Sequence, residues 1–165
     1  MKKLLRYAAL GLLGILVLLQ FYRPARNLSN EQSHHVSTKY PMPQAVEAIL
    51  KPACYDCHSN LSTYPWYANI QPVGIWLAQH INEGKQHLNF SEFTRRRAAV
   101  QNHKFEEIVE SQEDGWMPLD SYTWTHHDAR LSPEQRQTII AWAKANMDSL
   151  RVWYPADSLV LKRKG

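Results

Sequence analysis

The only two cysteines of the chain stand three positions apart and run straight into a histidine, in Cys54-Tyr55-Asp56-Cys57-His58. Two thiols at that spacing can add to the two vinyl groups along one edge of a porphyrin, and the next imidazole is then delivered beneath the iron. The chemistry expected is covalent attachment of one haem c through Cys54 and Cys57, with His58 as an axial iron ligand. Two other uses of a cysteine pair fit less well. A thioredoxin-like redox pair belongs at a helix start inside a βαβ pattern, which this sequence lacks. A structural zinc site wants four ligands, and there is no second cysteine pair.

The opposite face of the iron needs its own ligand. Gly115-Trp116-Met117-Pro118-Leu119 has turn residues and no periodicity, so Met117 is expected on a loop, with Pro118 confining its backbone to extended values. Its thioether is the expected sixth ligand; the plainer role is packing on Trp116. His80 is the alternative axial ligand, because it falls on an otherwise apolar helical face, where a hydrogen-bonded core histidine or a propionate contact is the commoner case. His87, His103, His126 and His127 stand in polar settings and read as surface residues. His34 and His35 read as solvated. Met42 lies between two prolines, and Met147 reads as helix core.

These side chains need elements to hold them. Val46, Ile49 and Leu50 recur at helical spacing between Pro43, at the first helical position, and Lys51-Pro52, leading straight into Cys54. Val73, Trp76, Leu77, His80 and Ile81 share a second helical face that Gly84 is expected to stop. Arg95 to Glu113 reads as a third helix, with Phe105, Ile108, Val109 and Gln112 on one side. Ser132-Pro133-Glu134-Gln135 carries the marks of a capping box, opening a helix whose buried stripe is Ile139, Trp142, Ala143 and Met147. No repeat, phosphate-binding glycine loop or strand-like alternation is present.

Lys2, Lys3, Arg6, Arg23 and Arg26 flank the apolar run Ala8 to Leu19 and account for the formal charge of +4. Residues 27 to 165 hold 14 basic and 15 acidic residues, so the body is near neutral and nothing points to a nucleic-acid partner. Leu4 to Tyr22, with Tyr7, Phe21 and Tyr22 at its ends and no small-residue cleavage site, reads as a retained signal anchor. The expected organisation is a transmembrane helix over 1–23, a polar tether over 24–43, a haem-binding domain over 44–148 and a C-terminal tail over 149–165. The expected location is the cytoplasmic membrane, single-pass, with the haem domain in the periplasm.

The order of helix, Cys54 to His58, intervening helices, Met117 loop and capped helix resembles the class I cytochrome c plan. The expected fold class is therefore all-α, a class I cytochrome c-like helical domain after an N-terminal transmembrane helix. More specifically, Cys54-Tyr-Asp-Cys-His-Ser-Asn60, Tyr64-Pro-Trp-Tyr-Ala-Asn-Ile-Gln-Pro72, His87-Leu-Asn-Phe-Ser-Glu92 and Met117-Pro-Leu119 resemble a bacterial haem-binding domain family across roughly residues 38 to 146. That resemblance implies covalent haem on an exported helical domain, and no particular reaction.

Electron transfer is the expected function, with His/Met ligation raising the potential and a redox protein as partner. On that reading the protein is an electron carrier rather than an enzyme, and Tyr64, Trp66, Tyr67 and Trp76 shield the porphyrin. Two alternatives remain. One is a haem enzyme or a gas or peroxide sensor with an open iron and His80 above it. The other is a structural haem module whose aromatic stretch from Tyr64 to Phe93 docks a membrane partner.

Overall fold

A computed structural model describes residues 1–161; the basic terminus 162–164 lies outside them. The described residues hold seven α-helices and no strand: α1 (Lys2–Leu19), α2 (Gln44–Ala53), α3 (Tyr55–His58), α4 (Val73–His87), α5 (Ala98–Glu113), α6 (Asp120–Thr123) and α7 (Pro133–Trp153). Of the expected fold class, all-α is what stands.

The capping box is present in full: Ser132 Oγ accepts from the Gln135 N–H at 3.2 Å, and Gln135 Oε1 accepts from the Ser132 N–H at 2.8 Å. Two of the orphan donors at the start of α7 are thereby satisfied. α7 packs chiefly on α5 and also meets α2. Val46, Leu50, Phe105, Ile139, Trp142 and Leu150 from these three helices form the centre of the core, joined by Phe90 and Phe93 from a 3₁₀ segment ahead of α5. That 3₁₀ segment takes the first residue of the expected third helix, which starts at Ala98 instead. Pro43 caps α2 from outside its first turn, and α2 runs past Pro52 to Ala53.

The anchor expected at the N-terminus is not supported. α1 is a helix with no buried residue, but no helix among the described residues is long and apolar enough to cross a membrane. At about 27 Å it falls short of the ~30 Å hydrocarbon layer, and Lys2, Lys3 and Arg6 all lie within its 18 residues. The single-pass location in the cytoplasmic membrane falls with it.

The segment 24–43, expected as a polar tether, is built into the domain. Val36 and Tyr40 are 0% and 1% exposed, and Tyr40 packs edge-on against Phe93 and Phe105. Lys39 Nζ donates to Gln101 Oε1 and Tyr154 Oη at 3.2 and 3.1 Å, which joins the segment to α5 and to the end of α7. Buried Asn27 donates from Nδ2 to the Ser59 carbonyl and to Ser62 Oγ, just after the Cys54-to-His58 run. Past α7 the chain packs back on α5 and buries Leu159.

The root of α1 is fastened to the loop before α4. Gln20 Nε2 donates to the Gln71 carbonyl and Gln20 Oε1 accepts from the Gln71 N–H, both at 3.0 Å. Arg23 and Arg26 bond to the carbonyl and the side-chain oxygen of Asn69.

Candidate functional site

The Cys-x-x-Cys-His run folds as a single helical turn. Cys54 breaks from α2, its carbonyl then accepts from the N–H groups of Cys57 and His58, and Cys54, Cys57 and His58 fall on one face at helical spacing. α4 lies directly against this turn, because Gly84 has no side chain. A Cβ there would stand 2.6 Å from the Cys57 carbonyl oxygen and 3.2 Å from Cys57 Cβ. Gly84 was expected to end the helix; it sits inside α4, which runs on to His87, and its purpose is this close approach.

The approach sets the histidine. His58 Nδ1 lies 2.9 Å from the Gly84 carbonyl and 3.0 Å from the Leu88 carbonyl, so Nδ1 carries the proton and donates it to that pair. Burial holds the imidazole below its ordinary pKa, and the two carbonyl bonds oppose that shift. A neutral ring with Nδ1–H engaged leaves the Nε2 lone pair as the ligating position, the arrangement by which carbonyls orient metal-bound histidines.

His58 opens onto a cavity of about 420 Å³, and Cys54, Cys57, His80 and Met117 line it too. All five residues expected at the iron or the porphyrin edge thus meet in one place. Ala53, Leu88, Ile108 and Leu119 make much of the wall apolar. Met117 comes from the expected loop, which leaves α5 through Gly115 at φ +74°, a left-handed value suited to glycine. Arg136 of α7 donates to the Met117 carbonyl at 2.7 Å. His80 is tied by Nδ1 to the Trp76 carbonyl at 3.0 Å, and its ring lies 4.3 Å from the Trp76 ring.

Burial pushes the Cys54 thiol up to about 12, helped by Cys57, and the Cys57 thiol up to about 11, helped by Asp56. A disulfide-exchange pair needs the opposite shift, so the setting disfavours the thioredoxin-like use. Among the described residues no three His, Cys, Asp or Glu side chains converge to hold a metal ion, which disfavours zinc.

Sequence reasoning missed Tyr122. It lines the cavity from α6, and its hydroxyl lies 2.9 Å from Asp56 Oδ2 and 3.0 Å from the Pro52 carbonyl. Asp56 Oδ1 in turn accepts from the Thr63 N–H at 2.8 Å. The aromatics at the cavity are Trp116 and Tyr122; the expected shield of Tyr64, Trp66, Tyr67 and Trp76 lies outside its lining.

A family model described as the haem-binding domain matches residues 14–145, most of the chain. The chain belongs to the haem-binding domain family. No curated protein and no solved structure matches it. Membership implies haem, and the residues lining this cavity fit that group: an oriented imidazole, a thioether, two thiols and a largely apolar lining around one volume.

Proposed function

We propose that this haem-binding protein is a c-type cytochrome that holds one haem covalently through Cys54 and Cys57 and passes electrons through it. The observation that carries the reading is the cavity in which both thiols, the Nδ1-engaged His58 and Met117 meet. When bound, haem supplies a one-electron iron couple whose potential is raised by His/Met ligation. His58 presents Nε2 and keeps its ring fixed through the Gly84 and Leu88 carbonyls. Met117 offers a thioether that excludes exogenous ligands. Ile108, Leu88 and Leu119 keep water from the iron. A redox protein meets the cavity where Trp116 and Leu119 are exposed at its rim.

The test is spectroscopic. Haem should stay on the protein band of a denaturing gel, and the reduced low-spin spectrum should ignore carbon monoxide. Met117→Ala should lose the Met-to-iron charge-transfer band and admit carbon monoxide. Haem that leaves the wild-type band sinks the covalent attachment, and an unaffected charge-transfer band sinks Met117 as ligand.

One observation favours a second reading: His80 lines the same cavity. An open iron with His80 above it would make a haem enzyme or sensor, and carbon monoxide or peroxide reacting with the wild-type protein would select it.

A further inference from the structure

Arg136 is oddly placed for a residue with only a structural role. It is the fourth residue of α7, at the positive end of the helix dipole, where a cation is unfavourable. It is half-buried, and it pairs with no carboxylate among the described residues. Its Nη1 instead donates to the carbonyl of Met117 at 2.7 Å and to Oε1 of buried Gln112 at 3.0 Å. The capping box fixes the first turn of α7, and Gln112 belongs to α5, so the guanidinium is held by both core helices when it grips the loop.

We propose that Arg136 is the positioning residue of the sixth ligand: it holds the Met117 backbone so that the thioether faces the iron, and its uncompensated charge behind that loop favours the reduced haem. The inference rests on Met117 ligation. The two effects have separate origins. The first needs a donor aimed at the Met117 carbonyl, and charge-assisted bonds of this kind are the stronger ones. The second needs only a positive charge with no counter-ion, acting on an iron that carries one positive charge less when reduced.

The experiment compares the haem-loaded wild type with Arg136→Gln and Arg136→Lys. It titrates imidazole against the Met-to-iron band and measures the reduction potential of each protein. In Arg136→Gln, imidazole should displace Met117 at about tenfold lower concentration, the scale set by one charge-assisted hydrogen bond, and the potential should fall. Arg136→Lys should keep the potential close to wild type while the imidazole affinity stays raised, since a lysine restores the charge but its ammonium ends one atom short of the Nη1 that bonds both Met117 and Gln112. Thermal unfolding of each haem-loaded protein separates this from general destabilisation. If Arg136→Gln melts earlier but keeps wild-type imidazole affinity and potential, the proposal is overturned and Met117 ligation stands. If the wild type shows no Met-to-iron band, ligation and proposal both fall.

Discussion

The Nδ1–H of His58 is held 2.9 Å from the carbonyl of Gly84, and the same glycine is the point at which α4 touches Cys57. One residue therefore sets both the orientation of the His58 imidazole and the distance between the Cys54-to-His58 turn and its supporting helix. Neither depends on a side chain at position 84. Both depend on there being none.

Gly84→Ala should show this directly. Its Cβ would stand 2.6 Å from a backbone oxygen that cannot rotate away, so α4 must shift and the His58 bonds must lengthen. Overpacking of this kind costs about 1–3 kcal/mol. Denaturant unfolding should register that loss, and the yield of haem-stained protein should drop with it. A variant as stable and as fully loaded as wild type would refute the close-approach argument.

Asn60→Ala should be among the more damaging substitutions outside the cavity. Asn60 is 6% exposed, donates to the Glu31 carbonyl and to Glu92 Oε1 at 3.1 Å each, and accepts from Asn89 Nδ2 at 2.8 Å. Truncation leaves several partners without a bond, a loss of about 2–3 kcal/mol. The check is urea unfolding of the haem-loaded protein, with the iron spectrum expected to stay unchanged because the network does not touch the cavity.

Tyr122→Phe removes the hydroxyl that links α6 to the Cys-x-x-Cys-His turn at Asp56 and Pro52. A loss of about 1–2 kcal/mol is expected. Because the ring remains, the cavity keeps its aromatic wall. Hydrogen exchange should quicken in residues 117–126 more than in α5 or α7, and uniform exchange would argue against a local link.

Acidification should cost stability through His35. Partial burial within the 24–43 segment holds its imidazole below the ordinary 6.5, with Glu47 opposing, and its ring sits edge-on to Tyr55. The unfolded chain then binds the proton first. The contribution is present above about pH 6.5 and is lost as pH falls from there towards the lower folded-state value. His35→Asn should flatten this part of the stability profile relative to wild type between pH 7 and 5.

What could be read from the sequence was what local spacing encodes. Cys54, Cys57 and His58 at one turn, the Ser132-Pro133-Gln135 cap and the aperiodic stretch around Met117 all signal themselves within a few residues, and each has its counterpart in the structure. What could not be read depends on partners far along the chain. Val36 and Tyr40 sit in a stretch with no period, and distant residues such as Phe93, Phe105 and Trp153 make core of it. Tyr122 looks like any loop tyrosine until Asp56 lies beside it. Gly84 gave a signal, read as a helix stop because glycine ends helices more often than it admits a neighbour. The apolar N-terminal run misled differently: its pattern is helical, as α1 shows, but Lys2, Lys3 and Arg6 lie inside the helix rather than outside it.

The reciprocal Gln20–Gln71 pair changes what α1 can be. A helix joined through a loose polar stretch would swing, and anything bound to it would sample the cavity from all sides at a concentration set by linker length. Fastened at Gln71 and Asn69, directly ahead of the helix that carries Gly84, α1 is instead a mast stepped into the deck of the domain. Whatever meets its apolar flank takes a set bearing on the cavity that His58 and Met117 line, so the Gln20–Gln71 geometry rather than linker length decides which face of the domain it reaches.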